Sequence, residues 1–423
     1  MSNASRRPQL RAVETIVVPD PQHGKLLVLR DTQGVATGHA RIPPALIPIV
    51  ARFDGQHTCE EIAREASAEL GEEVNVELVT RIADQLDEGL FLHGPTFRRA
   101  RADVERQFAD AEVRAATHAG GAYHADPAAL REYLDKSCLD RAKAKSRAHV
   151  TKSKAQPLSG LIAPHIDPWR GAVGYGHAYA ALAARLPPAA DTFVLLGTSH
   201  APMKQPFALC KKTFATPLGD VEPDRDGLDL LAKSATFDPY ADQFNHKREH
   251  SLEFQAVFLK HLLDSAPSGA RGKARIVPIL AGLGEHQAMG TDPSRDGAVM
   301  KFLDALRDFV ASRPGRVVVI AGADLAHVGP RFGDDKPLAQ RQRDALEEND
   351  RTSLDHATSG DAGAFWKDVA KDLATRRVCG LAPIYSLLRA LPGCKGELLH
   401  YEQTIDDEDG SIVSHAGVGF TIA

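Results

Sequence analysis

The stretch Leu161-Ile162-Ala163-Pro164-His165-Ile166-Asp167 sets a short apolar run directly ahead of a histidine and a carboxylate. The pattern recurs twice: Phe193-Val194-Leu195-Leu196 leads to His200, and Val317-Val318-Val319-Ile320 leads to Asp324 and His327. Short runs rich in branched residues and bounded by Gly and Pro read as strands buried on both faces. In open α/β sheets ligands settle outside the carboxyl ends of such strands, so the three polar clusters are expected to converge. A fourth member is Cys379, in Arg376-Arg377-Val378-Cys379-Gly380, just ahead of the helical spacing Ile384, Leu387, Leu388, Leu391. A cysteine at a helix N-terminus beside arginines is expected to have a depressed pKa, and so to act as a thiolate ligand or nucleophile.

Around these runs, apolar segments alternate with helical patterns from residue 155 to the end. Ile276-Val277-Pro278-Ile279-Leu280 reads as a further strand, and Ser414 to Ile422 as one that completes the sheet. Such alternation predicts a layered α/β domain. The first ninety-odd residues differ. A hairpin-like stretch spans Leu26 to Thr37 with a turn at Gly34, and Thr58 with Glu61 forms a capping box ahead of Ile62, Ala63, Ala66 and Leu70. A second helix carries Val79, Ile82 and Leu86 and leads to a short strand, Leu90-Phe91-Leu92. Helix, helix and short strand predict a small winged-helix unit over 1–96, followed by a charged helical linker over 97–110 and the α/β domain over 111–423.

Composition narrows the classes. With 423 residues, 43% hydrophobic, 25% charged and a net charge of -5, the chain is an ordinary globular one, carrying no global field for nucleic acid or membrane. The basic stretch Lys136 to Lys154 lacks interleaved aromatics and reads as a solvated face rather than a nucleic-acid surface. Neither a signal peptide nor a membrane-spanning run is read, and the five scattered cysteines are expected to be free thiols, so a cytoplasmic location is expected.

Two histidines plus one anionic ligand from separate loops form a facial triad that leaves positions open on a redox metal. His165, His200 and Cys379 are the candidate ligands. Sulfur in place of a carboxylate softens the set, so copper and zinc compete with iron, and these residues alone do not order the three. His327 is then left as a general acid or base, with Asp324 fixing a tautomer or a bound water. Asp167 can add a carboxylate to the surroundings of the centre. In Glu249-His250-Ser251-Leu252-Glu253, His250 and Glu253 share a helix face and can reach the cleft to touch the ligands or a substrate, an unidentified small molecule. With 18 histidines some fall after strands by chance, but three such coincidences argue for one shared site.

The ordered motifs Ala163-Pro164-His165, Gly197-Thr198-Ser199-His200, Thr216-Pro217-Leu218-Gly219, Glu249-His250-Ser251-Leu252-Glu253, Asp324-Leu325-Ala326-His327 and Cys379-Gly380 resemble those of the Memo family, also called protein B of the AmmeMemoRadiSam system. Ala115 to Tyr123, then Asp126-Pro127, looks like that family's opening, so the resemblance covers about 111 to 423. It implies a fold similar to class III extradiol dioxygenases, with His165, His200 and Cys379 at the metal-ligand positions and Asp324 and His327 at the remaining pocket positions. Two features depart: Cys379 stands where the dioxygenases carry a carboxylate, and Ile166-Asp167-Pro168-Trp169 follows the first histidine in place of Gly-Tyr. Phe53 to Ile62 with Gln85 to Phe91 resembles the small PqqD-like domains, which implies a peptide or protein partner for the N-terminal unit. The expected function is a metal-binding, dioxygenase-like oxidoreductase with one redox ion, Fe(II) or copper, expected ahead of zinc. The alternatives are a non-catalytic peptide or protein adaptor of a radical-enzyme modification system, and a zinc hydrolase.

Overall fold

The computed structural model describes residues 5–146, 156–265 and 274–422. The chain divides into two compact units, Met1–Ala111 and Glu112–Ala423.

In the first unit, strands β1 (Glu14–Asp20), β2 (Gly24–Arg30) and β3 (His39–Ile42) form an antiparallel sheet in the order β1-β2-β3. The turn expected at Gly34 is present: Asp31 accepts from the Val35 and Ala36 amides at 2.7 Å and pairs with the buried Arg11 guanidinium at 2.9 Å. Helices α1 (Cys59–Leu70) and α2 (Val76–Glu88) follow, and the Thr58/Glu61 capping box forms as read, with Thr58 N donating to Glu61 at 2.7 Å and Glu61 N to Thr58 Oγ1 at 3.2 Å. Their expected apolar faces are buried at Ile62, Ala63, Ala66, Val79, Ile82 and Leu86. Leu90-Phe91-Leu92 does not form the expected strand. Leu90 is in the left-handed region at φ 66, Phe91 N closes onto Leu86 O, and only Leu92 bridges, to Leu10. Helix α3 (Pro95–Asp110) occupies the stretch read as a charged linker and buries Phe97 and Phe108.

The second unit is built on a mixed sheet. Its elements include β4 (Gly160–Ala163), α4 (Pro168–Ala184), β5 (Thr192–Thr198), β6 (Phe207–Leu209), α5 (His250–Ser265), β7 (Arg275–Ala281), α6 (Gly297–Ala311), β8 (Val317–Gly322), β9 (Asp324–Val328), α7 (Gln340–Thr358), α8 (Leu381–Ala390), β10 (Lys395–Ile405) and β11 (Ile412–Thr421). The strands lie in the order β9-β11-β4-β8-β5-β7-β6, with β10 also on β11. Strands β4, β8, β5 and β7 run parallel, and β11, β9 and β6 are antiparallel to their neighbours. The final strand is therefore interior to the sheet.

Continuous apolar runs are explained by this layering, because successive side chains of a strand point to opposite faces and both faces are covered. Val194, Leu196, Val317, Val319 and Ile279 pack with α6 and α8 in one core. Phe193, Leu195, Val318, Ile320 and Leu280 pack with α4 and α5 in the other. The fold is thus a three-layer α/β structure whose parallel strands share one carboxyl edge. Within the basic stretch, Lys136 pairs with Glu132 at 2.6 Å and Lys143 with Asp140 at 3.2 Å; Arg147, Lys152 and Lys154 lie outside the described residues. Among the described residues no helix is long and apolar enough to cross a membrane.

Candidate metal centre

Three adjacent parallel strands end at the site. His165 lies two residues beyond β4, His200 two residues beyond β5, and Asp324 two beyond β8, which runs between them. Cys379 descends from the opposite layer, ahead of α8. Its approach depends on Gly380, where a Cβ would lie 2.3 Å from the Asp324 carbonyl oxygen; instead Gly380 N donates to that oxygen at 3.0 Å. Thr198 Oγ1 donates to the Cys379 carbonyl at 2.9 Å and ties the two layers together.

The ring orientations follow from their partners. His165 Nδ1 lies 2.9 Å from the Gly322 carbonyl, which can only accept, so Nδ1 carries the proton and Nε2 presents its lone pair. His200 Nδ1 likewise donates to Glu249 at 2.9 Å, again leaving Nε2 as the donor atom. Cys379 Sγ is 3.1 Å from His165 Nε2, where the thiol donates its proton to that lone pair. One donor atom from each of His165, His200 and Cys379 lies within 4.8 Å of the others. The set fits a metal ion: two imidazole lone pairs and a sulfur, with the proton between Cys379 and His165 in the place a cation would take.

Burial governs the protonation states. Desolvation lowers the pKa of His165 to about 3, with His200 adding to the effect, and lowers that of His327 to about 4. Both imidazoles are therefore neutral at pH 7, as ligation and proton acceptance require. Asp324 is raised by burial, which its histidine neighbours and the hydrogen bond from His165 N, at 2.8 Å, only partly offset. For Glu249 burial acts upward too, but His200 together with His250 outweighs it and holds the carboxyl well below its usual range.

Cys379 reverses an expectation. Its thiol is pushed well above its ordinary pKa, first by burial and then by Asp324. The neighbouring arginines do not help, because Arg376 is committed to Asp350 at 3.1 Å and Asp372 at 2.8 Å, and Arg377 to Asp334 at 2.6 Å and the His327 carbonyl at 3.0 Å. The metal-free protein thus holds a thiol. Consequently, iodoacetamide should label Cys379 slowly at pH 7 and faster only in strongly alkaline solution, read by peptide mass spectrometry. Labelling at pH 7 at the rate of an ordinary exposed cysteine would contradict this.

The other candidates separate. His250 stands at the site, its ring 4.4 Å from that of His200 and 5.4 Å from that of His165. His327 Nδ1 donates to the Leu325 carbonyl at 3.2 Å and its ring meets Phe332 edge-on at 5.0 Å. Glu253 turns away, into a buried cluster. It accepts from Arg114, from Tyr123 Oη at 2.5 Å and from His118 N and Nδ1 at 2.9 and 3.0 Å, and so anchors the Ala115–Tyr123 segment. Asp167 caps α4 and pairs with Arg170 at 2.5 Å. Glu249 was not singled out in the sequence, yet it orients His200 through both the ring and the backbone amide, at 2.9 and 2.8 Å. Its position next to His250, at the start of α5, was the available signal.

The Memo-like protein family model matches residues 114–419. The chain belongs to the Memo family. A MEMO1 family protein of Aquifex aeolicus is 25% identical over 401 residues, 94% of this chain and 96% of that protein. One from Thermus thermophilus is 30% identical over 259 residues, 61% of this chain and 70% of its own length, and one from Methanococcoides burtonii is 29% identical over 311 residues, 72% and 99%. The Aquifex likeness extends well beyond the residues that the Memo family model matches.

Proposed function

We propose that this Memo protein is a metal-dependent oxidoreductase, whose ion is held by His165, His200 and Cys379 at the shared carboxyl edge of β4, β8 and β5. The observation that carries this reading is that one donor atom from each of His165, His200 and Cys379 lies within 4.8 Å of the others, while Gly322 O and Glu249 fix the Nδ1 side of the two imidazoles. Bound there, iron or copper would supply one-electron redox chemistry and dioxygen activation, as the resemblance to extradiol dioxygenases implies.

The chain's own residues set the rest. Asp324 holds the His165 backbone at 2.8 Å, and its second oxygen stands 3.7 Å from His165 Nε2. His327 is neutral with its proton on Nδ1, so Nε2 is free of that proton and can accept one from a small-molecule substrate. Its carbonyl is held by Arg377, which pairs with Asp334 on the other side. This reading places the protein in the cytoplasm, where a reducing pool keeps its five free cysteines reduced. In the first unit, β1 and β3 are the outer strands of their sheet, which supports recruitment of a peptide or protein partner by strand addition.

Oxygen uptake with Fe(II)-loaded protein and a panel of catechols tests the reading. Uptake that falls at least about tenfold in His327→Gln with metal content retained is expected, in line with the contribution of a general base. A second reading, a non-catalytic adaptor, draws on the thiol in place of a carboxylate; metal retention with no oxygen uptake on any substrate would favour it. Redox-inert zinc as the sole bound metal would favour a hydrolase instead.

A further inference from the structure

We propose that the rim of this site carries a second cation position, formed by His200, Glu249 and His250 and suited to a divalent ion of borderline hardness. One donor atom from each of the three lies within 4.8 Å of the other two. The inference deepens the metal-centre reading, and it stands on a different donor set.

The geometry points this way for three reasons. First, Glu249 Oε1 lies 2.9 Å from His200 Nδ1 and 3.5 Å from His250 Nδ1, so one carboxylate oxygen already faces two imidazole nitrogens. A cation entering there takes the place of the proton between Glu249 and His200, and that proton leaves to solvent. Second, the carboxylate is anchored independently of the imidazoles. Ser251 N donates to Oε1 at 3.0 Å, His200 N to Oε2 at 2.8 Å, and Arg114 holds the Glu249 carbonyl at 2.9 Å. Third, His250 is positioned by packing: it stacks on His200 and meets His118 edge-on at 5.8 Å, while His118 is itself held by Glu253. Preorganised donors of this kind are what metal sites require from their surroundings.

The two positions share His200, whose Nδ1 faces Glu249 of the outer set. They differ in chemistry, since the inner set contains sulfur and the outer one a carboxylate, so softer ions sort inward and harder ones outward.

Zn(II) titration of the metal-free full-length chain, by calorimetry with elemental analysis, tests the proposal. Wild type is expected to bind two equivalents, His250→Ala one, and the double variant His165→Ala/Cys379→Ser one that is lost on adding His250→Ala. Should the double variant fail to fold by circular dichroism, comparison of wild type with His250→Ala decides alone: equal stoichiometry overturns the proposal. One equivalent in wild type, kept in His250→Ala and lost in the double variant, overturns the second site and leaves the inner centre standing. One equivalent kept in the double variant and lost in His250→Ala supports the outer site and removes the inner one.

Discussion

Glu253→Ala should lower the stability of the C-terminal unit by about 3–5 kcal/mol, the usual cost of removing one partner of a buried ion pair. Arg114 is fully buried and Glu253 nearly so, at 0% and 1% side-chain exposure. Truncating the carboxylate strands a guanidinium that keeps the carbonyls of His246, Glu249 and Ala115 and the face of Phe214 but no counter-charge among the described residues. It also leaves Tyr123 Oη, Thr117 and the His118 amide without their acceptor. Both tryptophans of the chain, Trp169 and Trp366, lie in this unit, so tryptophan fluorescence during urea unfolding reports on it alone. Acid should separate the variants further. Burial alone would raise the Glu253 pKa, but Arg114, His118 and Tyr123 outweigh it and hold it well below the usual range. A depressed folded pKa contributes stability above the unfolded value and loses it as pH falls toward the folded one. Wild type should therefore lose this increment as pH falls below about 4, a step that Glu253→Ala lacks. A variant as stable as wild type, with the same acid profile, would contradict the account of this cluster.

The second large effect is on metal affinity. His165→Ala and His200→Ala each remove a candidate donor atom and should weaken binding at the inner position by more than about 100-fold. Glu249→Gln removes the acceptor that orients His200 and should cost about 10–100-fold, the range found when such an orienting partner is lost. Asp167→Asn, whose parent carboxylate caps α4 and pairs with Arg170, should leave affinity unchanged within error. Competition titrations against a chelator of known affinity measure this order. Equal losses in Asp167→Asn and His165→Ala would show that the variants act through folding and not through ligation.

Those gradations also mark how far the sequence could be read. The strand-end clusters were legible because a parallel strand buried on both faces is a continuous apolar run, so the polar residues that follow Ala163, Thr198 and Gly322 stand out by contrast. Capping of α1 was legible because Thr58 and Glu61 complete a motif within four residues of chain. Contacts between distant segments were not. The thiol of Cys379 was expected to be acidified by Arg376 and Arg377, but Asp350 and Asp334, both distant in sequence, claim those guanidinium groups, with Asp372 adding a local pair to Arg376. Glu253 shares the helix of His250 and was read toward the cleft, yet Arg114, far away in sequence, draws it into the core. Glu14–Asp20 carries an apolar centre, Ile16-Val17-Val18, but was passed over, because its strand register is set by pairing with β2.

Sulfur ligation by Cys379 is measured most directly by metal-edge X-ray absorption on anaerobically purified protein loaded with one equivalent of Fe(II) or Cu(I). One sulfur scatterer is expected at about 2.3 Å, the length typical of metal–thiolate bonds, with imidazole nitrogens completing the shell, and loss of the sulfur signal in Cys379→Ser. A shell of nitrogen and oxygen alone in the wild-type protein would contradict it.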